Sequence, residues 1–105
     1  MKREVTFKLD EQVLRCALPD EIDHHAARGV RERIDCELFR LRPRELELDF
    51  SSVGFMDSSG VGLIIGRAEL CRELGCRVKL SGLSSRDLRL LRLSGIEKID
   101  NIFIS

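Results

Sequence analysis

Neither sign of charge prevails in this 105-residue chain: lysine plus arginine and aspartate plus glutamate both number 18, and the net charge is zero. Bulk charge therefore draws it neither to nucleic acid nor to an acidic membrane. No apolar run approaches the roughly 18–20 residues that a membrane span needs. The opening Met1-Lys2-Arg3-Glu4-Val5 lacks the apolar core of a secretory leader, so the cytoplasm is the expected compartment. The four cysteines, Cys16, Cys36, Cys71 and Cys76, form no C-x-x-C pair, and without a leader no disulfide framework is expected. A zinc site drawing on these and on His24 and His25 would need an unusual arrangement. Buried thiols serving as small hydrophobes are the expectation. No G-K-[ST] follows Gly54, Gly60, Gly62 or Gly66, so the chain carries no phosphate-binding loop. Gly62 and Gly66 are read instead as allowing close helix packing. No G-x-S-x-G elbow surrounds Ser58 either. A serine nucleophile needs an oriented base in contact and an oxyanion site, whereas the two histidines read as helix-start or surface residues. The chain is expected not to be an enzyme. No repeat, linker or low-complexity segment divides it, so residues 1–105 read as one domain with a single modest core.

Val5, Phe7 and Leu9 alternate with polar residues, as do Leu14, Cys16 and Leu18. With a turn-like Asp10-Glu11-Gln12 between them, residues 4–18 predict a β-hairpin, ended by Pro19-Asp20. A helix follows, capped by Asp23. Ala27, Val30, Ile34, Leu38 and Leu41 form its apolar stripe; its mixed charges, Arg28, Arg31, Glu32, Arg33, Asp35 and Glu37, predict a solvated face. Arg42-Pro43-Arg44 breaks that helix. Leu46, Leu48 and Phe50, alternating with Glu47 and Asp49, then mark a strand with one face buried and one wet or thinly covered. After a central helix to about Leu74, with Gly75 as its stop, Cys76, Val78 and Leu80 mark another strand. Ser84-Ser85-Arg86-Asp87 has capping-box spacing ahead of a short apolar helix with Leu88, Leu90, Leu91 and Leu93, ended by Ser94-Gly95. Residues 99–104 predict a last strand. Strand–helix–strand alternation requires right-handed crossovers and a mostly parallel, mixed sheet, and the wet strand faces place the helices mainly on one side.

The chain is organised around residues 49–67, where a strand end and a short loop lead into a helix opening on Asp57-Ser58-Ser59-Gly60. Apolar residues at Val61, Ile64, Ile65 and Ala68 keep helical spacing. Asp57 and Ser58 are both good N-caps. Two hydroxyls thus stand at the positive end of a helix, where a phosphate is well tolerated. Phe55 and Met56 just before them have no helix or strand of their own. Such side chains tuck under a fold or wait for a partner.

Phe55-Met56-Asp57-Ser58-Ser59-Gly60, with Gly62 and Leu63-Ile64-Ile65-Gly66-Arg67 behind it, closely resembles the phosphorylation-site motif of bacterial anti-sigma-factor antagonists, which are stand-alone STAS domains. Glu21-Ile22-Asp23-His24-His25 resembles the start of the first helix in the sporulation branch of that family. The likeness runs from about Val5 to Ile99. It implies a STAS fold and a phosphorylation-switched binding module. In that reading the unphosphorylated form binds an anti-sigma factor that is also a serine kinase, and so frees a sigma factor. The kinase, using ATP and Mg²⁺, phosphorylates Ser58 and the complex parts; a metal-dependent phosphatase resets the switch. The protein itself would hold no cofactor or metal. Asp23, Phe55, Met56, Asp57, Ser59 and Gly60 would form the binding surface with Ser58. Two alternatives stand: the same switch in a general stress-response circuit, or an accessory STAS domain of a transporter or lipid-transfer complex. Ser58 argues against the latter. The family's usual further C-terminal helix has no counterpart in this chain, so Phe103 is expected to be less covered than its equivalents.

Overall fold

A computed structural model describes residues 4–105; Met1 to Arg3, part of the stretch read as lacking a leader, lie outside them. The alternating residues form the predicted hairpin, Thr6–Asp10 (β1) against Val13–Ala17 (β2), antiparallel with Phe7 opposite Cys16. Glu11 takes the left-handed conformation, φ 57°, at its turn. Helix α1 spans His24–Leu41, and its stripe is buried at Val30, Ile34 and Leu38. Arg42 ends it in the left-handed conformation before Pro43, its amide donating to the Leu38 carbonyl at 3.0 Å. Strand β4 (Glu45–Asp49), helix α2 (Ser58–Glu73), strand β6 (Arg77–Ser81), helix α3 (Ser85–Leu93) and strand β7 (Ile102–Ile104) follow. Between β2 and α1 lies the two-residue strand β3 (Glu21–Ile22), and between β4 and α2 its partner β5 (Phe55–Met56).

The main sheet runs β1-β2-β4-β6-β7, parallel except for the hairpin. Successive crossovers move in one direction across it. Right-handed connections that never reverse direction must stack their helices on one face. That face carries Leu14, Cys16, Leu46, Leu48, Val78 and Leu80, all fully buried.

The opposite face is thinly covered rather than wet. Glu45 and Glu47 are each only 8% exposed. Their neighbours cover them. Arg77 Nε lies 3.0 Å from Glu45 Oε1, Arg15 Nε lies 3.3 Å from Glu47 Oε1, and Ser81 Oγ donates to Glu47 Oε2 at 2.8 Å. Cross-strand ion pairs thus cover the face that no helix covers. Phe103 is 39% exposed, with the Arg77 guanidinium 5.3 Å from its ring centre.

Other expectations shift at element ends. The last strand is shorter than residues 99–104, because residues 99–101 form a turn in which the Ile102 amide donates to the Ile99 carbonyl at 3.2 Å. In α3, Ser84 caps as predicted, its hydroxyl accepting from the Asp87 amide at 3.1 Å. Leu91 alone of the four leucines is fully buried, and Leu93 points outward at 81% exposure. Nine residues make too few turns for four leucines to share one narrow face. Cys16, Cys71 and Cys76 are buried as expected, but Cys36 is exposed. It sits on the polar side of α1, between the buried Ile34 and Leu38 turns.

Candidate functional site

The smallest sheet holds the candidate site. β3 and β5 pair in parallel, Glu21 opposite Phe55 and Ile22 opposite Met56. So Phe55 and Met56, read as having no strand of their own, do have one; two residues are too few for period-2 alternation to announce it. Each of these strands passes straight into an N-cap and a helix, β3 through Asp23 into α1 and β5 through Asp57 into α2. The pairing brings the two aspartates together. The Asp57 amide donates to the Ile22 carbonyl at 3.2 Å, and the Gly54 and Phe55 amides donate to the Asp20 carbonyl at 2.7 and 3.2 Å. Both caps lie beyond the carboxyl ends of β2 and β4, where open α/β sheets carry their sites.

The two aspartates do the same local work. Asp23 Oδ1 accepts from the Ala26 amide at 2.8 Å, and Asp57 Oδ1 accepts from the Ser59 amide at 2.8 Å. Each satisfies an amide that a helix start leaves without a partner. Ser58 is therefore the first residue of α2 rather than its cap, and its side chain is exposed. Ser59 is half-buried and turned toward the groove between α1 and α2. The two hydroxyls, alike in being near the helix start, differ in their exposure.

The residues grouped with Ser58 divide in two. Phe55 is 44% exposed, and with Asp23, Asp57 and Ser59 it belongs to the surface. Met56 is 6% exposed and Gly60 is buried, so neither presents a surface to a partner. They support the loop from beneath instead. A Cβ on Gly60 would stand 2.3 Å from Met56 Cγ and 2.4 Å from its sulfur, so glycine is what lets Met56 fold under the helix start. The buried face of α2 follows from this: Gly60, Leu63, Ile64, Arg67, Ala68 and Cys71. Val61 and Ile65, placed on the apolar stripe by spacing, are only partly buried.

Sequence reasoning missed the groove beside the serines. It is open, about 780 Å³, and runs between the first turns of α1 and the N-terminal part of α2, Ser59 to Arg67. His24, His25, Arg28, Arg31 and Arg67 line it, and no carboxylate does. The cations of α1 read as part of an evenly mixed face. In three dimensions some turn to the groove, while Glu37 pairs with Arg40 at 2.7 Å elsewhere on the helix. Arg67 is the unexpected member, an arginine 6% exposed on the inner face of α2. Its Nε stands 2.7 Å from Asp35 Oδ1, while its Nη1 has no hydrogen-bond partner. Burial holds the Arg67 guanidinium below its ordinary range and the Asp35 carboxyl above its own, each partly offset by the other's charge. Gly62 and Gly66 line the groove too, and a Cβ on either would meet nothing within 4 Å. They do not serve close helix packing, contrary to the reading from spacing. They leave bare backbone facing an open space.

Among the described residues, no cluster of three or more His, Cys, Asp or Glu could hold a metal ion. Among the same residues, no helix is long and apolar enough to cross a membrane.

Over residues 5–105 the sequence matches the STAS domain family. It is 32% identical over 103 residues to the anti-sigma F factor antagonist of Paenibacillus polymyxa, which covers 98% of this chain and 88% of that relative. Identity to the anti-sigma-B factor antagonist of Bacillus subtilis (strain 168) is 28% over 102 residues, or 97% and 92% of the two chains. The fold matches the anti-sigma factor antagonist SpoIIAA in its unphosphorylated form with a TM-score of 0.80, at 25% identity over 96% of this chain and 87% of the other. The phosphorylated form of SpoIIAA gives 0.73 at 25% identity, over 96% and 90%.

Proposed function

Since the chain belongs to the STAS domain family, in its branch of anti-sigma-factor antagonists, we propose that it is a phosphorylation-switched binding module for an anti-sigma factor. The observation that carries the reading is Ser58: an exposed hydroxyl at the first position of α2, directly after the Asp57 cap. Unphosphorylated, the protein binds an anti-sigma factor that is also a serine kinase and so releases the sigma factor. The kinase spends ATP with Mg²⁺ to place a phosphate on Ser58, and a metal-dependent phosphatase removes it. The protein is a cytoplasmic partner in this cycle, holds no cofactor, and is not itself the catalyst. Relatives of two kinds, an anti-sigma F factor antagonist and an anti-sigma-B factor antagonist, support the role and leave the sigma factor open. A sporulation circuit is the reading that the Glu21-Ile22-Asp23-His24-His25 resemblance favours.

A phosphate on Ser58 adds about −1.5 to −2 charges. Asp23 and Asp57 stand beside it, and a dianion pressed against carboxylates in a desolvated interface costs several kcal/mol. The test incubates the chain with the anti-sigma-factor kinases of its host, ATP and Mg²⁺, and maps the phosphate by mass spectrometry. The group is expected on Ser58, and finding it on Ser59 would overturn the assignment. Ser58→Ala is expected to bind the anti-sigma factor constitutively and Ser58→Asp weakly. A folded Ser58→Ala protein that fails to bind would make the hydroxyl a direct contact instead.

A further inference from the structure

Three features of the α1–α2 groove fit together. Its charged lining residues are all cations. Arg31 makes no direct ion pair to another described residue, although its charge acts on Asp35, and Arg28 pairs only with the exposed Glu32, at 3.3 Å. The buried Arg67 keeps an Nη1 without a partner, although its neighbour Asp35 is 2.7 Å from Nε. And Gly62 and Gly66, one turn apart in mid-helix, face the open space with no packing need for the missing side chain. Glycine inside a helix is destabilising relative to alanine. Here that loss is matched by no gain within the fold, and the bare backbone lets another chain approach closely.

We propose that this groove is the docking site for an acidic segment of the anti-sigma factor, its carboxylates meeting the exposed Arg28 and Arg31 while its backbone lies along Gly62 and Gly66 and over the buried Arg67. The inference rests on the function proposed above and adds the part of the partner that this chain recognises. It also explains why the switch sits where it does. Ser59 lines the groove and Ser58 is the next residue, so a phosphate there sets its charge at the mouth and repels the incoming carboxylates.

The experiment uses alanine at three glycines of the full chain, Gly29, Gly62 and Gly66, and the charge reversal Arg31→Glu. None of the three glycines has an atom within 4 Å of an added Cβ. Each alanine is therefore expected to raise the melting temperature, by about 4 °C. Affinity for the anti-sigma factor that binds the wild type is then titrated. Gly29 is outside the groove, and Gly29→Ala is expected to bind as the wild type does. Gly62→Ala, Gly66→Ala and Arg31→Glu are expected to lose about tenfold, and the Arg31→Glu loss should shrink as salt rises. A second arm titrates a decaglutamate peptide into the wild type and reads backbone NMR shifts, expected at Gly62, Gly66 and Arg31 and absent in Arg31→Glu. Groove variants that bind the anti-sigma factor within twofold of the wild type overturn this inference and leave the proposed function standing. A wild type that binds no anti-sigma factor overturns the proposed function, and the docking assignment with it.

Discussion

Asp57 and Asp23 are the residues on which the site's geometry depends, and their first role is to hold helices. Replacing either with alanine removes one cap hydrogen bond and is expected to cost about 1 kcal/mol, measured by urea denaturation. Gly60 has a different reason for its identity. With Met56 Cγ 2.3 Å from where a Cβ would stand, Gly60→Ala must push that side chain aside. A loss of about 1–3 kcal/mol is expected, as for overpacked cores, and a calorimetric melt would show it. Gly62→Ala, two residues on, should move the other way. The thiols also separate at this scale. Burial pushes the Cys16 thiol up to about 12. The interaction between the neighbouring Cys71 and Cys76 thiols raises the first and lowers the second. Only Cys36 is exposed. Native protein treated with a chromogenic disulfide reagent is therefore expected to release one thiol quickly, at Cys36, and the rest only on unfolding.

Among the elements, α2 carries the switch, and its dipole decides how the fold responds to a phosphate. Negative charge at a helix N-terminus is stabilised by about 0.3–1 kcal/mol. Phosphorylation at Ser58 should therefore block binding locally without melting the domain. Melting temperatures with and without the phosphate are expected to be nearly equal, and backbone NMR shifts to stay within the first turn of α2, β3 and β5. Shifts spread through β4 and β6 would indicate a conformational switch instead. The pairing of β3 with β5 makes this containment reasonable. It ties two helix starts together outside the main sheet, so a change at one cap need not pass through the core.

Across the whole molecule, α1 and α2 are tied by the charge pair of the buried Arg67 and the partly buried Asp35. Removing Arg67 would take the nearer of two cations from Asp35 and leave it only Arg31. Breaking a fully buried pair this way costs about 3–5 kcal/mol; with Asp35 still 29% exposed, a smaller loss is expected from Arg67→Ala. The pair also makes a pH dependence. Burial raises the Asp35 carboxyl above its unfolded value in the folded chain. Its contribution is complete below the ordinary carboxylate range and is lost as pH rises through the raised folded value. Wild-type stability, taken relative to Asp35→Asn, is therefore expected to fall as pH climbs from about 4. Denaturation midpoints over a pH series measure this, and a difference that grew with pH would refute it.

How much of this was legible beforehand depends on the range of the interactions involved. Local signals sufficed where the physics is local. Alternation placed the hairpin, a 3.6-residue period placed α1, and Asp23, Asp57 and Ser84 announced three helix starts through side chains that reach only two or three residues onward. From the sequence alone followed the one-sided sheet and the place of the motif at the start of α2. The rest depends on residues far apart in the chain. Two-residue strands are too short to show a period, so β3 and β5 emerge only when their backbones meet. Glu45 and Glu47 are covered because the neighbouring strands bring Arg77 and Arg15 across to them. And the groove needs Arg28 and Arg31 from one helix with Gly62, Gly66 and Arg67 from another. No window along the chain contains both, and only the packing of α1 against α2 turns mixed surface charge into a cationic cleft beside Ser58.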